Sequence, residues 1–213
     1  MYADRANLAS ARQAAALWRA DIERNPRDFD AAWKLARADY WIGGHAAPAD
    51  ARTTYESGIT AARTAIGLRP GSPEGHFWLA ANMGALAESS SRQGLKYRSQ
   101  IKAELETVLR IDPGFQRGSA DRALGRWYFK VPRLFGGSHR EAEAHLHASL
   151  MYDPESTASH FFLAELFLAD HRTSEAATEL SRVIAAPTGG EWAPEDDEFK
   201  AKARALLPRV QSR

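Results

Sequence analysis

The chain of 213 residues contains no cysteine. Disulfides, thiolate metal sites and a cysteine nucleophile are therefore excluded. No apolar run approaches the roughly 18 residues of a membrane-spanning helix. An excess of one charge is missing too: 28 Lys and Arg against 27 Asp and Glu leave a net charge of +1. No global field would recruit nucleic acid or an acidic membrane. A Gly-x-Ser-x-Gly elbow is absent, and Gly136-Gly137-Ser138 lacks the lysine and spacing of a phosphate loop. The acidic runs Asp196-Asp197-Glu198 and Glu104-x-Glu106 read as helix first-turn or exposed-face acids. Neither an enzyme nor a cofactor is expected.

The seven histidines form no ligand pattern. His145 and His147 stand two apart on a helix and point to different faces. His76 and His160 occupy matching repeat positions, where packing is the simpler account. No metal site is expected. The opening Met1-Tyr2-Ala3-Asp4-Arg5 has no apolar signal-peptide core and enters helical sequence abruptly. The expectation is a protein free of membrane spans, cytoplasmic, or periplasmic and envelope-associated if a leader was trimmed ahead of residue 1.

What is present is helical periodicity with proline punctuation. Asn25-Pro26, Arg69-Pro70, Asp112-Pro113, Asp153-Pro154 and Ala186-Pro187 each close a helical pattern, at intervals of 44, 43, 41 and 33 residues. A minimal tetratricopeptide unit is about 34 residues, so the longer intervals carry insertions. Leu124-Gly125-x2-Tyr128 reproduces the first-helix half of that repeat. Ala142-x3-Leu146 and Pro154 reproduce its second half, with leucine in the phenylalanine position. The expected fold is all-α: one tetratricopeptide-like domain over 1–213, a right-handed superhelical array of antiparallel helix pairs.

An opening helix is expected over 6–24, pairs over about 28–70, 73–113, 119–154 and 156–187, and a capping helix over about 194–210. Gly43-Gly44 should stop the second helix ahead of a loop at His45–Pro48. Ser72-Pro73-Glu74 starts a helix, Ser89-Ser90-Ser91 makes a turn into a helix from Leu95, and Ser138-x2-Glu141 is a capping box. Pro208 should weaken the last turn of the final helix. Gly58 falls where its helix needs a small packing residue.

Longer stretches carry a resemblance. Phe29 to Tyr40, Pro73 to Gly84 and Leu124 to Tyr128 resemble the regulator-of-microtubule-dynamics family. The same segments, with Lys130-Val131-Pro132 and Gly136-Gly137, also resemble bacterial T-components of tripartite ATP-independent periplasmic transporters. The likeness runs from about Phe29 to Leu207. It implies a non-catalytic accessory that binds proteins. The second relative adds an envelope location, contact with a periplasmic solute-binding partner or a small ligand, and homo-oligomers. The alanine- and arginine-rich composition points to a bacterial source, where a microtubule role has no place.

In such arrays the first helix of each pair lines the concave face. Aligning those helices on the preceding prolines puts Trp33, Arg37, Tyr40, Phe77 and Asn82 in the groove. Arg122, Arg126, Phe129, Phe161 and Glu165 follow from the later pairs. Arginines among aromatics suit a protein or peptide segment bearing carboxylates.

Overall fold

The protein is described from a computed structural model that covers residues 2–88 and 91–211. These residues form ten α-helices and three short 3-10 turns, with no strand among them. The helices are α1 (Leu8–Arg24), α2 (Phe29–His45), α3 (Pro48–Leu68), α4 (Pro73–Glu88) and α5 (Ser91–Ile111). They continue with α6 (Ser119–Lys130), α7 (His139–Tyr152), α8 (Thr157–Ala169), α9 (Thr173–Ala185) and α10 (Ala193–Gln211). They gather into two compact units, Met1–Pro113 with α1 to α5 and Gly114–Arg213 with α6 to α10. Within each unit, successive helices pack as hairpins: α2 on α3 and α4 on α5 in the first, α6 on α7 and α8 on α9 in the second.

The proline punctuation has a common geometry. Asn25, Arg69, Asp153 and Ala186 are each the C-cap of a helix, and each donates its N–H back to the carbonyl four residues earlier. The proline that follows disfavours helical backbone at the residue before it, so the helix ends there. Three of the junctions then repeat one turn. Asp28 N–H donates to the Asn25 carbonyl (3.0 Å), Ser72 to Arg69 (3.1 Å) and Ser156 to Asp153 (3.1 Å). The last residue of each turn immediately precedes the next helix, and Asp28 Oδ1 and Ser156 Oγ accept from Ala31 N (2.9 Å) and Ser159 N (3.3 Å) as N-caps. The Asp112-Pro113 junction departs from this turn. It passes through left-handed backbone at Gln116, Arg117 and Gly118 (φ 45°, 59° and 71°) before α6.

Gly125 shows why the repeat signature has the residues it has. A Cβ there would fall 2.6 Å from Leu146 Cγ and 3.0 Å from the Ala142 carbonyl. Leu124, Ala142 and Leu146 are fully buried around this contact. The two halves of the signature, read separately along the chain, therefore meet as one close approach of α6 and α7.

Several boundaries differ from the sequence expectation. Helix α2 does not stop at Gly43-Gly44 but continues to His45. His45 stacks on Trp41 (4.0 Å between ring centroids) and its Nδ1 lies 2.7 Å from the Trp41 carbonyl, which holds the last turn. Helix α10 runs through Pro208 to Gln211 instead of weakening there. Val210 is buried with the α8 and α9 core, and this packing retains the turn. The capping box at Ser138 is half-formed. Ser138 Oγ accepts from Glu141 N (3.3 Å), but Ser138 N–H donates to the Tyr128 carbonyl (2.9 Å) and Glu141 turns to Arg140. Helix α5 begins at Ser91, ahead of Leu95, while Ser89 and Ser90 of the expected turn lie outside the described residues.

The acid-rich start of α10 is a docking point. Thr157 Oγ1 donates to Asp196 Oδ1 (2.7 Å), tying α10 to the start of α8. Lys200 Nζ donates to the Ala186 carbonyl and Thr188 Oγ1, which secures the end of α9.

Candidate functional site

The groove residues fall in both units, and each unit has its own arrangement. In the first unit Trp33 is half-buried, packed against Phe29, Ala32 and Ala65, and its Nε1 donates to Asp30 Oδ1 (3.0 Å). The Arg37 guanidinium lies 5.3 Å from the Trp33 ring and 4.3 Å from the ring of Tyr2. Tyr2 also donates its hydroxyl to the Arg37 carbonyl (3.4 Å). Tyr2 thus lies on this face of α2, and the Arg37 guanidinium is within cation–π range of both rings. Tyr40, at the far end of the same face, is exposed, with its ring 5.7 Å from Trp78.

Asn82 is not a groove residue. It is fully buried, and its Nδ2 donates to the Ala36 carbonyl (2.9 Å) and the Trp78 carbonyl (2.8 Å). It ties α4 to α2, where a buried amide must find partners. A Cβ on Gly58 of α3 would fall 2.3 Å from Asn82 Oδ1, so the small residue expected at Gly58 makes room for this amide. Phe77 is also interior, edge-on to Trp78 at 5.0 Å. Ala81, Gly84 and Ala85 are instead among the partly exposed residues of α4.

In the second unit α6 and α8 bring Arg126 and Glu165 together. Arg126 Nη1 donates to Glu165 Oε2 at 3.0 Å, and Lys130 Nζ lies 3.7 Å from the other carboxylate oxygen. The Arg126 guanidinium also sits 4.6 Å from the Phe162 ring. Phe129 is half-buried against the α8 core, with His139 edge-on at 5.3 Å and Lys130 Nζ at 4.6 Å. Arg122 is half-buried on the same helix.

Phe161 belongs to the interior, beside Phe199 at 5.5 Å, and the face residue is its neighbour Phe162. Phe162 stands three residues before Glu165, on the same side of the helix. That spacing was the available signal for a residue the proline alignment missed by one position.

The histidines act as ties. His76 Nδ1 lies 2.5 Å from Glu104 Oε2 and its Nε2 2.9 Å from the Pro70 carbonyl. His160 repeats this with Glu179 (2.5 Å) and the Pro154 carbonyl (2.8 Å). His145 Nδ1 lies 2.7 Å from Asp121 and its ring stacks on Tyr128. Each links the two helices of a hairpin. Among the described residues, no three His, Asp or Glu side chains are grouped to hold a metal ion, and no helix is long and apolar enough to cross a membrane.

This architecture has relatives among solved structures. TTC0263, a thermophilic TPR protein of Thermus thermophilus, superposes with a TM-score of 0.71 at 22% identity, over 94% of this chain and 92% of its own. MamA superposes with a TM-score of 0.55 at 14% identity, over 88% of this chain and 89% of its own. At these identities the likeness concerns the fold, which is a tetratricopeptide-type helical repeat. No curated protein matches the chain significantly. The regulator of microtubule dynamics protein 1-3 family matches residues 2–211, so nearly the whole repeat array falls within it, and the chain belongs to that family.

Proposed function

We propose that the protein is a non-catalytic scaffold that binds a protein segment on the half-exposed faces of its first-of-pair helices. The observation that carries this reading is Arg126, held by Glu165 at 3.0 Å and by the Phe162 ring at 4.6 Å. A guanidinium ordered beforehand over an aromatic ring loses little freedom on meeting a carboxylate, and Arg and aromatic residues dominate protein interfaces. Arg37, placed between Tyr2 and Trp33, offers a second such group in the other unit. The partner is a segment with acidic and apolar side chains, its carboxylate competing with Glu165 for Arg126.

The test is affinity capture from native lysate with wild type, the Arg37→Ala/Arg126→Ala double variant and Arg140→Ala. Arg140 is 89% exposed on α7, where it pairs with its neighbour Glu141, and serves as the control. A partner held by wild type and Arg140→Ala but lost by the double variant supports the reading. Retention by all three proteins moves the interface elsewhere.

A second reading makes the chain an envelope accessory of a TRAP-type solute transporter. It is favoured by the loop after α6, where Leu134 is 87% exposed and neighbours the exposed Phe135. An apolar tip of this kind suits contact with a solute-binding protein. Neighbouring solute-binding and permease genes, together with loss of co-purification in Leu134→Ser, would support it.

A further inference from the structure

On α6 the basic residues Arg122, Arg126 and Lys130 stand four apart, so they line one face of the helix. The row is of one sign: from Arg122 to Arg140 the sequence has no Asp or Glu. The one acid of α6, Asp121, is buried and lies 2.7 Å from His145 Nδ1. The one acid of α8, Glu165, comes up to the row, with Oε2 3.0 Å from Arg126 Nη1 and Oε1 3.7 Å from Lys130 Nζ. That contact puts the two later members of the row side by side, facing α8. Aromatic rings steady both: the Arg126 guanidinium is 4.6 Å from the Phe162 ring, and Lys130 Nζ is 4.6 Å from that of Phe129.

We propose that this row docks an extended protein segment, running along α6, with acidic side chains at every second position. The inference rests on the scaffold reading above and names the pattern its partner carries. The charges are complementary, because three cations outnumber the one α8 carboxylate that meets them. The spacing agrees as well. Four residues of an α-helix rise about 6 Å. Alternate residues of an extended chain are about 6.6 Å apart and point to the same side. Three acids at alternate positions therefore meet Arg122, Arg126 and Lys130 in turn, with a mismatch of roughly 1 Å over the whole row, which long side chains absorb. The middle acid takes the place of Glu165 on Arg126.

Other acidic ligands fit the row less well. Consecutive acids on an extended chain point to opposite sides, so every other one misses it. A helix about 10–12 Å across would have to ride above the side chains of both α6 and α8, which pack on each other and meet at Arg126 and Glu165. A single extended chain can lie along the row itself. A nucleic-acid strand also carries evenly spaced anions, but its bases need open rings to stack on. Phe162 and Phe129 are half-buried, and Arg126 and Lys130 already lie over them.

The experiment is fluorescence anisotropy with the full chain at pH 7.5 and low salt. The labelled probes are Gly-Glu-Val-Glu-Val-Glu-Gly and Gly-Val-Glu-Glu-Glu-Val-Gly, which have the same composition. The alternating peptide is expected to bind about fivefold more tightly, the effect of one further charge-assisted contact. The Arg122→Ala/Lys130→Ala double variant is expected to bind it about tenfold more weakly and to lose the preference. Arg52→Ala/Arg140→Ala removes the same charge from exposed positions on other helices and is expected to behave as wild type. No binding of the alternating peptide, equal affinity for the two peptides, or equal weakening in both double variants would each overturn the assignment. Tighter binding of oligothymidylate, or of an alanine-rich helix with glutamates four apart, would overturn it too. The preference between peptides is read on wild type, so it stands even if a variant fails to fold. Capture that depends on Arg126, with no preference between the peptides, keeps the scaffold reading and removes only the spacing.

Discussion

His160 presents its Nδ1 to Glu179 Oε2 at 2.5 Å and its Nε2 to the Pro154 carbonyl at 2.8 Å. Both partners accept, so both ring nitrogens must donate, and only the imidazolium does so. The proline that ends α7 and a glutamate of α9 are thereby joined through one side chain of α8.

This geometry makes stability depend on pH. Burial works against a charged His160, but the Glu179 hydrogen bond and the Pro154 carbonyl outweigh it, and the net shift is upward from 6.5. A group whose folded value is raised contributes stability that is fully present below its unfolded value of 6.5 and is lost as pH rises through the folded value. Thermal unfolding between pH 6 and pH 9 should show that decline. His160→Gln should flatten it. Glu179→Gln, which removes one partner of a buried ion pair, should destabilise by about 3 kcal/mol.

Asp39 acts with the same sign in a lower window. Its carboxyl rises from 3.8 to about 6, so the folded protein holds the proton more tightly than the unfolded chain. Stability should fall as pH increases from 3.8 to about 6 and stay lower above that. Asp39→Asn should remove this slope and raise stability at pH 7 by on the order of 2 kcal/mol. Tm against pH for the two proteins checks it.

Gly125→Ala should destabilise the second unit by about 1–3 kcal/mol, because overpacking forces neighbours off their rotamers. The new methyl meets Leu146 Cγ at 2.6 Å and the Ala142 carbonyl at 3.0 Å, and the carbonyl belongs to a helix backbone with no room to yield. Urea denaturation should show a lower midpoint. An unchanged midpoint would mean that α6 and α7 can separate freely.

Asn82→Ala and Arg126→Ala should behave oppositely. The first leaves a buried Ala36 carbonyl without its side-chain donor and should lower stability by about 1–3 kcal/mol. The second removes a partly exposed ion pair, whose contribution is typically below about 1 kcal/mol, while removing the proposed contact with the partner. Denaturation and capture measured on both variants separate the structural residue from the binding residue.

Helix spacing, the proline after each closing helix and the absence of any strand pattern are local properties of the chain. Proline restricts the residue before it whatever the surroundings, so Asn25, Arg69, Asp153 and Ala186 could be recognised as helix ends in advance. The repeat signature at Leu124-Gly125 and Ala142-x3-Leu146 was legible for the same reason: it records contact within one hairpin, between segments close in sequence. Half of the capping box was legible as well, since the serine acts on its own helix. The other half was not, because Tyr128, ten residues earlier, took the Ser138 N–H.

The site was less legible. A helical residue turns by about 100° per position, so one step separates the buried Phe161 from Phe162 at Arg126. The interior place of Asn82 depends on carbonyls of α2 and α4 and on Gly58 of α3, which no local pattern brings together. Nor does the sequence alone show that Tyr2 reaches Arg37 or that Asp39 is buried beside Arg19 and Ser57. By itself the sequence determined an all-helical chain of proline-closed hairpins, because those signals act within a few residues. Which polar groups were buried or paired was decided only when the helices packed, since burial and partnership belong to contacts between segments far apart in the chain.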